Sequence, residues 1–415
     1  MDSLPIEVVG NILSHVASAR EVAIASETCR KWRQATRHHL HKLIFAESDC
    51  PRDLLQSQCE ILITETIMRT SCLQDLTISV KRTFSAALVI AWLMHTKETL
   101  KSLTFRSPTE PPLNIFEKCG GQKIEHLVWG SAHIPPIDPV IHKFPSLVSL
   151  TLEKAVLSAL DLNLLFSVCP KLEFLSLINN DISVSDTAST IELKSASMKT
   201  LNIEGVSVES IVLEADKLKK MVLRASTFEQ FELLSQGSLE HLTIEDVSIS
   251  HLEIGQSADL LEEVIVCDFT VMWPEFYKMI SGASKLKKLR LCGLLFHPEE
   301  EAMDLKTISL LFPGLHWLAL NYHHGDHHFQ HGIGRSALFE KVVILELGTS
   351  KLNELFVQWI ASFLGCCPKL QRLTIYATVS EAKSQKDFQM IGKFTSSMID
   401  LMRQFSFVDV KFEFS

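Results

Sequence analysis

The amino-acid sequence predicts an α/β fold, in which three short N-terminal helices precede a solenoid of strand-containing repeats. Apolar residues recur at helical spacing between Val8 and Val16, and the motif apolar-x-x-apolar-x-apolar occurs fourteen times from residue 40 onwards. Successive copies start 20 to 33 residues apart, close to the period of about 20–29 residues typical of one large class of stacked repeats. We therefore expect a small helical module followed by one long repeat array.

The first helix is expected to begin at Pro5, because the missing N–H of proline costs nothing in the first turn of a helix. An apolar stripe follows along one face of this helix and consists of Val8, Val9, Ile12, Leu13 and Val16. A second helix is predicted over residues 19–25, and a third over residues 26–40, since Ser26 is a residue type that favours N-caps. Three short helices bury little surface and are marginally stable alone, so we expect them to dock onto another polypeptide.

Two separated motifs indicate a family for this helical module. Leu-Pro-x-Glu at residues 4–7 is followed by Ile-Leu-Ser at residues 12–14, and Cys-Arg-x-Trp-Arg occupies residues 29–33. Together they resemble the F-box motif, which implies binding to the Skp-type adaptor of a cullin–RING ubiquitin ligase. The adaptor-binding residues implied by the resemblance are Leu4, Pro5, Ile6, Glu7, Val8, Val9, Ile12, Leu13, Val16 and Trp32. The alternative interpretation is a helical cap that closes the first repeat.

Composition and charge argue against several classes of protein. The chain has 415 residues and a net charge of −9, which does not suit a protein built mainly to bind nucleic acid or an anionic membrane. The longest apolar run, residues 86–94, is too short to span a bilayer, and the N-terminus lacks the basic and apolar regions of a signal peptide. We expect the protein in the nucleus, the cytoplasm or both.

The ten cysteines are scattered, with one adjacent pair, Cys366 and Cys367, and no Cys-x-x-Cys motif. Most of them lie within apolar patterns, so we expect buried free thiols in a reducing compartment rather than disulfides or a zinc site. No cysteine has a recognisable activating context, and the common motifs of hydrolases, nucleotide-binding enzymes and zinc proteases are missing. The sequence therefore predicts a protein that is not an enzyme and has no cofactor and no metal site.

The repeated motif resembles the leucine-rich repeat. Its fourteen copies start at Leu40, Leu73, Leu100, Ile124, Leu147, Leu172, Met198, Leu218, Leu239, Leu261, Leu286, Leu315, Val342 and Leu370. Each copy predicts a short strand with alternate residues facing a core that the stacked repeats share. The resemblance implies a parallel sheet on the concave side of a ribonuclease-inhibitor-like arc. The Asn that usually follows the strand in this family is mostly absent, with Asn179 and Asn321 as nearby exceptions, so a regular asparagine ladder is in doubt.

The segments between the strands predict helical ends and a β-rich centre. Helices are predicted between residues 84 and 97 and over residues 161–168, 274–281, 303–312 and 352–364. From residue 182 to 256 the repeats shorten to about twenty residues, and each contains a second fragment that alternates at period two. Such short alternating fragments predict strands. Residues 408–414 also alternate and predict a final, capping strand.

Residues that alternate with the inward leucines should line the concave face. Small and hydroxyl residues dominate the first half of this face and predict a solvated surface, whereas charged and aromatic residues gather towards its C-terminal end. Aromatic and arginine side chains are the types that anchor protein interfaces. We therefore predict a substrate-binding patch consisting of Lys288, Arg290, Trp317, Asn321, Arg372 and Tyr376. The alternative is ordinary repeat surface.

Residues 321–332 include five histidines. Histidines bind zinc or nickel when several of them converge, but this run contains no cysteine, and its glycines favour an exposed loop. An exposed loop over the rim of the concave face is the favoured interpretation.

These resemblances imply a plant-type F-box/leucine-rich-repeat protein, with the F-box in residues 1–45 and the solenoid in residues 46–415. Such a chain would be the substrate-recognition subunit of a Skp–cullin–F-box E3 ubiquitin ligase, holding a protein substrate near the conjugating enzyme. Two alternatives stay open. One is a leucine-rich-repeat scaffold or inhibitor without a ligase, and the other is a hormone-dependent F-box receptor. The receptor would need a deep basic pocket, and the threonine-rich face gives it little support.

Overall fold

The computed structural model describes residues 4–50, 55–119, 123–131, 134, 136–140, 143–183, 190–235, 237–269, 273–293, 305–322, 338–349, 352, 354–377 and 385–414. The chain divides into two compact units, Met1–Val208 and Glu209–Ser415. Each unit contains a parallel sheet whose strands follow one another in chain order.

Three helices open the first unit: α1 (Ile6–Val16), α2 (Ala19–Thr28) and α3 (Arg30–His39). The Ser18 hydroxyl accepts a hydrogen bond from the backbone N–H of Glu21, so α2 begins with a side-chain cap. All three predicted N-terminal helices are present.

The predicted start of the third helix at Ser26 is wrong. The Ser26 hydroxyl donates to the carbonyl oxygen of Ala23 at 2.7 Å, so this side chain bonds backwards within α2 instead of capping a new helix. The chain leaves helical geometry only at Cys29, whose φ of −159° and ψ of 167° are extended. The third helix therefore begins at Arg30.

The first unit continues with strands and helices that alternate along the chain. Its strands are β1 (Lys42–Ala46), β2 (Asp75–Ser79), β3 (Phe84–Ser85), β4 (Ser102–Phe105), β5 (Thr109–Glu110), β6 (His126–Gly130), β7 (Ser149–Glu153), β8 (Val156–Ser158), β9 (Phe174–Ile178), β10 (Asp181–Ser183), β11 (Thr190–Lys194) and β12 (Thr200–Glu204). Its further helices are a 3-10 turn (Glu47–Asp49), α4 (Gln56–Met68), α5 (Ala86–Thr96), α6 (Ile115–Cys119) and α7 (Ala159–Val168).

One parallel sheet organises this unit. Strands β1, β2, β4, β6, β7, β9 and β12 pair in that order. Equivalent leucines of successive repeats lie level with one another, as in the row Leu43, Leu76 and Leu103, and all three are buried. Two short parallel pairs, β3 with β5 and β8 with β10, lie outside this sheet.

The second unit repeats this plan. Its strands are β13 (Ser207–Glu214), which spans the point of division, β14 (Lys220–Leu234), β15 (His241–Glu253), β16 (Glu263–Phe269), β17 (Lys288–Cys292), β18 (Trp317–Tyr322), β19 (Ile344–Thr349), β20 (Arg372–Ala377) and β21 (Asp409–Phe414). Its helices are a 3-10 helix (Gly255–Leu260), α8 (Trp273–Ile280), α9 (Leu305–Leu311), α10 (Glu354–Cys366) and α11 (Gln385–Gln404). Strands β14 to β21 pair consecutively, and every pair is parallel.

The predicted repeat architecture is confirmed within both units. A strand lies at each of the fourteen motif positions, β21 is the expected final strand, and α5, α7, α8, α9 and α10 overlap the five predicted helices. The β-rich centre is also confirmed, because the described residues from Thr190 to Glu253 form strands and no helix.

Helix α11 is not predicted from the sequence. It has 20 residues and buries Phe394, Met398 and Leu401. These residues are spaced four and three apart, as on one face of a helix. Polar and charged residues dominate the remaining positions, so the stripe is narrow and easily missed.

The expectation that the cysteines form no disulfide is wrong for one pair. Cys50 and Cys59 are bonded to each other, and both side chains are buried. Cys50 follows the 3-10 turn after β1, and Cys59 lies in the first turns of α4. A separation of nine residues matches no disulfide or metal motif, so the sequence contains no signal for this bond.

Among the described residues, a left-handed residue follows the strand in eight repeats. It lies two positions after the last buried residue of the strand motif in each case, at Ser131, Lys154, Asn179, Gly205, Ala225, Asp246, Asp268 and Gly293. In the first unit, the N–H of Lys154 donates to the Ile178 carbonyl at 2.8 Å, and the N–H of Asn179 donates to the Glu204 carbonyl at 2.7 Å. The turn thus adds a hydrogen bond between neighbouring repeats while the chain leaves the sheet.

Candidate functional site

An exposed apolar face runs along α1. Val8, Ile12 and Val16 are 42%, 41% and 49% exposed, and their spacing of four residues places them on one side of the helix. Ile24 of α2 is 54% exposed. We call these four residues the helical face. An exposed apolar stripe such as that of α1 is typical of surfaces that bind another protein.

The opposite side of α1 packs against the rest of the first unit. Val9, Gly10 and Leu13 are buried there, and Gly10 lets α1 approach α3 closely. A Cβ added at Gly10 would lie 2.3 Å from the Cβ of His39 and 2.5 Å from its carbonyl oxygen. Close packing on this side fixes which residues α1 turns outward.

Two of the predicted adaptor-binding residues are therefore corrected. Val9 and Leu13 are each 1% exposed, so they support the helical face from beneath and cannot touch a partner. The apolar stripe in the sequence includes both sides of the helix, and the sequence alone does not divide it.

The other predicted residues remain accessible. Pro5 and Glu7 are exposed with the helical-face residues of α1, while Leu4, Ile6 and Trp32 are half-buried. Ile24 is missing from the prediction, although a lone isoleucine on the short, polar α2 is a signal that could have found it.

Hydrogen bonds attach these helices to the first strand of the sheet. The Ser14 hydroxyl accepts from the backbone N–H of His41 at 2.9 Å and donates to the Gly10 carbonyl at 2.9 Å. The N–H of Ile44 in β1 donates to the Ala17 carbonyl at 2.7 Å. These bonds hold the helical face in a fixed orientation relative to the sheet of the first unit.

The sheet of the second unit presents one face away from the leucine core, which we call the open face. Its residues form level rows across the strands. One row contains Ile265, Arg290, Ala319, Glu346, Thr374 and Lys411. Ala319 and Thr374 in this row are buried, so parts of the open face are closely packed.

Most of the predicted substrate patch comes together on this face. The Lys288 ammonium lies 3.7 Å from the centre of the Trp317 ring, a cation–π contact. Trp317, Arg372 and Tyr376 line a shallow depression of about 580 Å³.

Three predicted residues lie outside the lining of the depression: Lys288, which contacts the Trp317 ring, together with Arg290 and Asn321. Arg290 lies on β17, level with Ala319 of the next strand. The side chain of Asn321 occupies space next to Gly348, where an added Cβ would lie 2.3 Å from the Asn321 Cγ.

Charges on the patch are largely balanced by ion pairs. Lys288 lies 2.6 Å from the Glu263 carboxylate, Lys411 lies 2.6 Å from Glu413, and Arg372 lies 3.9 Å from Asp409. These partly exposed pairs contribute little to stability. They give the depression a mixed polar lining.

Two polar side chains of this region are partly withdrawn from water. Burial raises the pKa of Glu346, while the nearby Arg290 and a hydrogen bond from Trp317 oppose that shift. The indole Nε1 of Trp317 is itself buried, so the indole and the carboxylate partly compensate each other.

Comparison with known proteins identifies the family of this chain. Residues 1–47 match the F-box-like family, and residues 98–259 match the family of LRR repeats described for FBD-associated F-box protein At5g56370. F-box/LRR-repeat protein At1g67190 of Arabidopsis thaliana is 44% identical over 418 residues, which cover 100% of each chain. This chain is an F-box/LRR-repeat protein. A further relative, F-box protein At1g10780 of Arabidopsis thaliana, is 26% identical over 187 residues, covering 43% of this chain and 44% of the relative.

In this F-box/LRR-repeat protein, the final strand contributes residues that the predicted patch omits. Asp409, Lys411 and Glu413 of β21 line the depression together with Ile344 and Glu346 of β19. The alternation of residues 408–414 is visible in the sequence. Only the pairing of β21 with β20 shows that its polar residues extend the patch.

The remaining sequence expectations concern metal and membrane. The histidine-rich stretch lies outside the described residues from position 323 to 332. Within the described part of this F-box/LRR-repeat protein, no group of three or more His, Cys, Asp or Glu residues could hold a metal ion. None of its described helices combines the length and the apolar character that crossing a bilayer requires.

Proposed function

We propose that this F-box/LRR-repeat protein is the substrate-recognition subunit of a Skp–cullin–F-box ubiquitin ligase. The observation that supports this most is the uncovered helical face, which lies in the segment that matches the F-box-like family. F-box domains generally bind Skp1-type adaptors. The chain would act by positioning a bound protein near the charged conjugating enzyme, and it would perform no bond-making step itself.

Adaptor binding is tested by placing charge on the helical face. The double substitution Val8→Asp and Ile12→Asp should abolish co-purification with a Skp-type adaptor, because both side chains are exposed and their replacement leaves the core intact. Leu160→Asp is the matched control, since Leu160 is 66% exposed on α7 and should leave adaptor binding unchanged. Failure of the unaltered chain to bind any Skp-type adaptor would instead favour a scaffold or inhibitor.

For the substrate surface, we propose the patch around the depression on the open face. Trp317 and Arg372 are side-chain types that contribute most of the energy in many interfaces, and both line the depression. The hormone-receptor alternative needs a deep basic pocket, whereas this depression is shallow and contains the carboxylates of Glu346, Asp409 and Glu413.

Replacement of Trp317 and Arg372 by alanine together tests the patch. Affinity purification with the proteasome blocked should yield proteins that the unaltered chain captures and the double variant loses, with adaptor binding retained in both. Arg224→Ala is the control, because Arg224 lies on the same face outside the depression, paired with Glu245 at 2.6 Å. An identical set of captured proteins for the double variant and the unaltered chain would remove the patch from the proposal.

A further inference from the structure

Two cysteines lie side by side on the open face of the second unit. Cys267 of β16 is level with Cys292 of β17 in the parallel pairing of these strands. Paired strands lie about 4.8 Å apart, and a disulfide requires Cα atoms about 4.4–6.8 Å apart. Both side chains alternate with buried core residues and so share one face. The positions of the two backbones therefore allow a bond between the sulfur atoms.

An arginine lies next to this thiol pair. Arg290 is two residues before Cys292 on the same face of β17, and its Nε donates to the Cys292 Sγ at 3.5 Å. A guanidinium at this distance stabilises the thiolate, which is the reactive form of cysteine. The sequence analysis found no activating context because Arg290 meets Cys292 only through the alternation of a strand.

The surrounding charges favour ionisation of Cys292 over Cys267. A hydrogen bond from Cys267, together with the guanidinium of Arg290, lowers the pKa of Cys292 to about 7 against the opposing effects of burial and Asp268. Donating that hydrogen bond raises the pKa of Cys267, and burial and Glu245 act in the same direction. The Cys292 sulfur can therefore act as the nucleophile, whereas the Cys267 sulfur keeps its proton.

We propose that Cys267 and Cys292 form a peroxide-reactive thiol pair that oxidises to a disulfide across strands β16 and β17. The Cys292 thiolate attacks one oxygen of hydrogen peroxide, which breaks the O–O bond and yields a sulfenic acid and hydroxide. The Cys267 sulfur then attacks the sulfenic sulfur, loses its proton and expels the oxygen as water. The hydroxide takes up the proton that Cys292 released on ionising. In total the two thiols lose two electrons, and one peroxide is reduced to two molecules of water.

Oxidation would also change the charge of the open face. Arg290 loses the thiolate that it contacts, and Glu346 remains as an anion beside it. Arg290 belongs to the predicted substrate patch, so an effect on capture rests on the proposed function. The disulfide itself does not depend on it and is tested without any substrate.

Peptide mapping of the full-length chain tests the pair directly. The protein is treated with hydrogen peroxide at pH 7, free thiols are alkylated, and peptides are analysed by mass spectrometry without reduction. A peptide linking Cys267 to Cys292 should appear and disappear after dithiothreitol. Cys169 and Cys367 are internal controls, because burial raises the pKa of each to about 12. A Cys292 that oxidises no faster than these two would overturn the proposal.

Substitutions of Arg290 test whether this arginine, rather than solvent exposure of Cys292, accounts for the reactivity of the thiol. Arg290→Met should slow oxidation of Cys292 at pH 7 about threefold or more, since the thiolate fraction falls, and Arg290→Lys should restore part of the rate. Arg372→Met is the matched control on the same face and should have no effect. In Cys267→Ser, dimedone should trap the Cys292 sulfenic acid. Absence of both the dimedone adduct and the linked peptide would contradict the proposal even if a variant folds poorly, because the linked peptide is measured in the unaltered chain.

Discussion

Gly10 decides how closely the first helix approaches the third. Its missing Cβ leaves room for the side chain and the backbone of His39, and backbone atoms cannot move aside cheaply. The glycine thereby sets the orientation of α1 and directs Val8, Ile12 and Val16 towards solvent. Gly10 itself touches no partner, yet it determines which residues of α1 are accessible to one.

Gly10→Ala is expected to destabilise the chain by about 2 kcal/mol or more, because an added methyl overpacks a tight contact. Gly392→Ala in α11 is the matched control, since nothing lies within 4 Å of its added Cβ. Alanine in an open helical position should stabilise by about 0.5–1 kcal/mol. Denaturant unfolding of both variants measures the difference. If both substitutions changed the free energy of unfolding in the same direction, this account of the contact between α1 and α3 would be contradicted.

At the level of single residues, the sequence predicts types and patterns better than neighbours. The apolar stripe of α1 is correctly identified, but its division into buried Val9 and exposed Val8 depends on the position of α3. The activation of Cys292 depends on Arg290 lying on the same side of a strand. The bond between Cys50 and Cys59 depends on how the chain returns after β1. Each of these features is a consequence of packing between segments that local periodicity does not encode.

Among the elements, the strands with their following turns are the best predicted. The leucine motif specifies both the strand and its inward residues, so every predicted strand is present. The left-handed residue after the strand is less visible, because positions such as Lys154 and Ala225 hold residue types that do not favour it. Helix α11 is missed, since its apolar stripe occupies only a few positions.

Substitutions at two equivalent turn positions, residues 205 and 225, should change the free energy of unfolding in opposite directions. Gly205→Ala should destabilise by about 1 kcal/mol or more, because φ is +63° and the new Cβ would lie 2.1 Å from Asn179 Oδ1. Ala225→Gly should stabilise by up to about 1 kcal/mol, since φ is +44° and glycine adopts this region freely. Equilibrium unfolding of the two variants measures both effects. A stabilising Gly205→Ala would contradict the role assigned to the turn.

For the whole molecule, the exposed helical face couples stability to binding. A partner that binds this face of the folded chain, and does not bind the unfolded chain, stabilises the folded state by about 2.7 kcal/mol at a concentration 100 times its Kd. The Tm of the purified chain should therefore rise with added Skp-type adaptor. The Val8→Asp and Ile12→Asp double variant should show no rise. A Tm of the unaltered chain that stays constant as adaptor is added would argue against adaptor binding.

The Ser14 hydroxyl and the Ala17 carbonyl, both bonded to the backbone around β1, have a practical consequence for protein engineering. A chimera that transplants the N-terminal helices onto a foreign repeat array with a junction at residue 45 would sever β1 (Lys42–Ala46) one residue before its end. A junction beyond Ala46 keeps the strand whole. The smallest segment that can be transferred intact therefore includes strand β1 as well as the three helices.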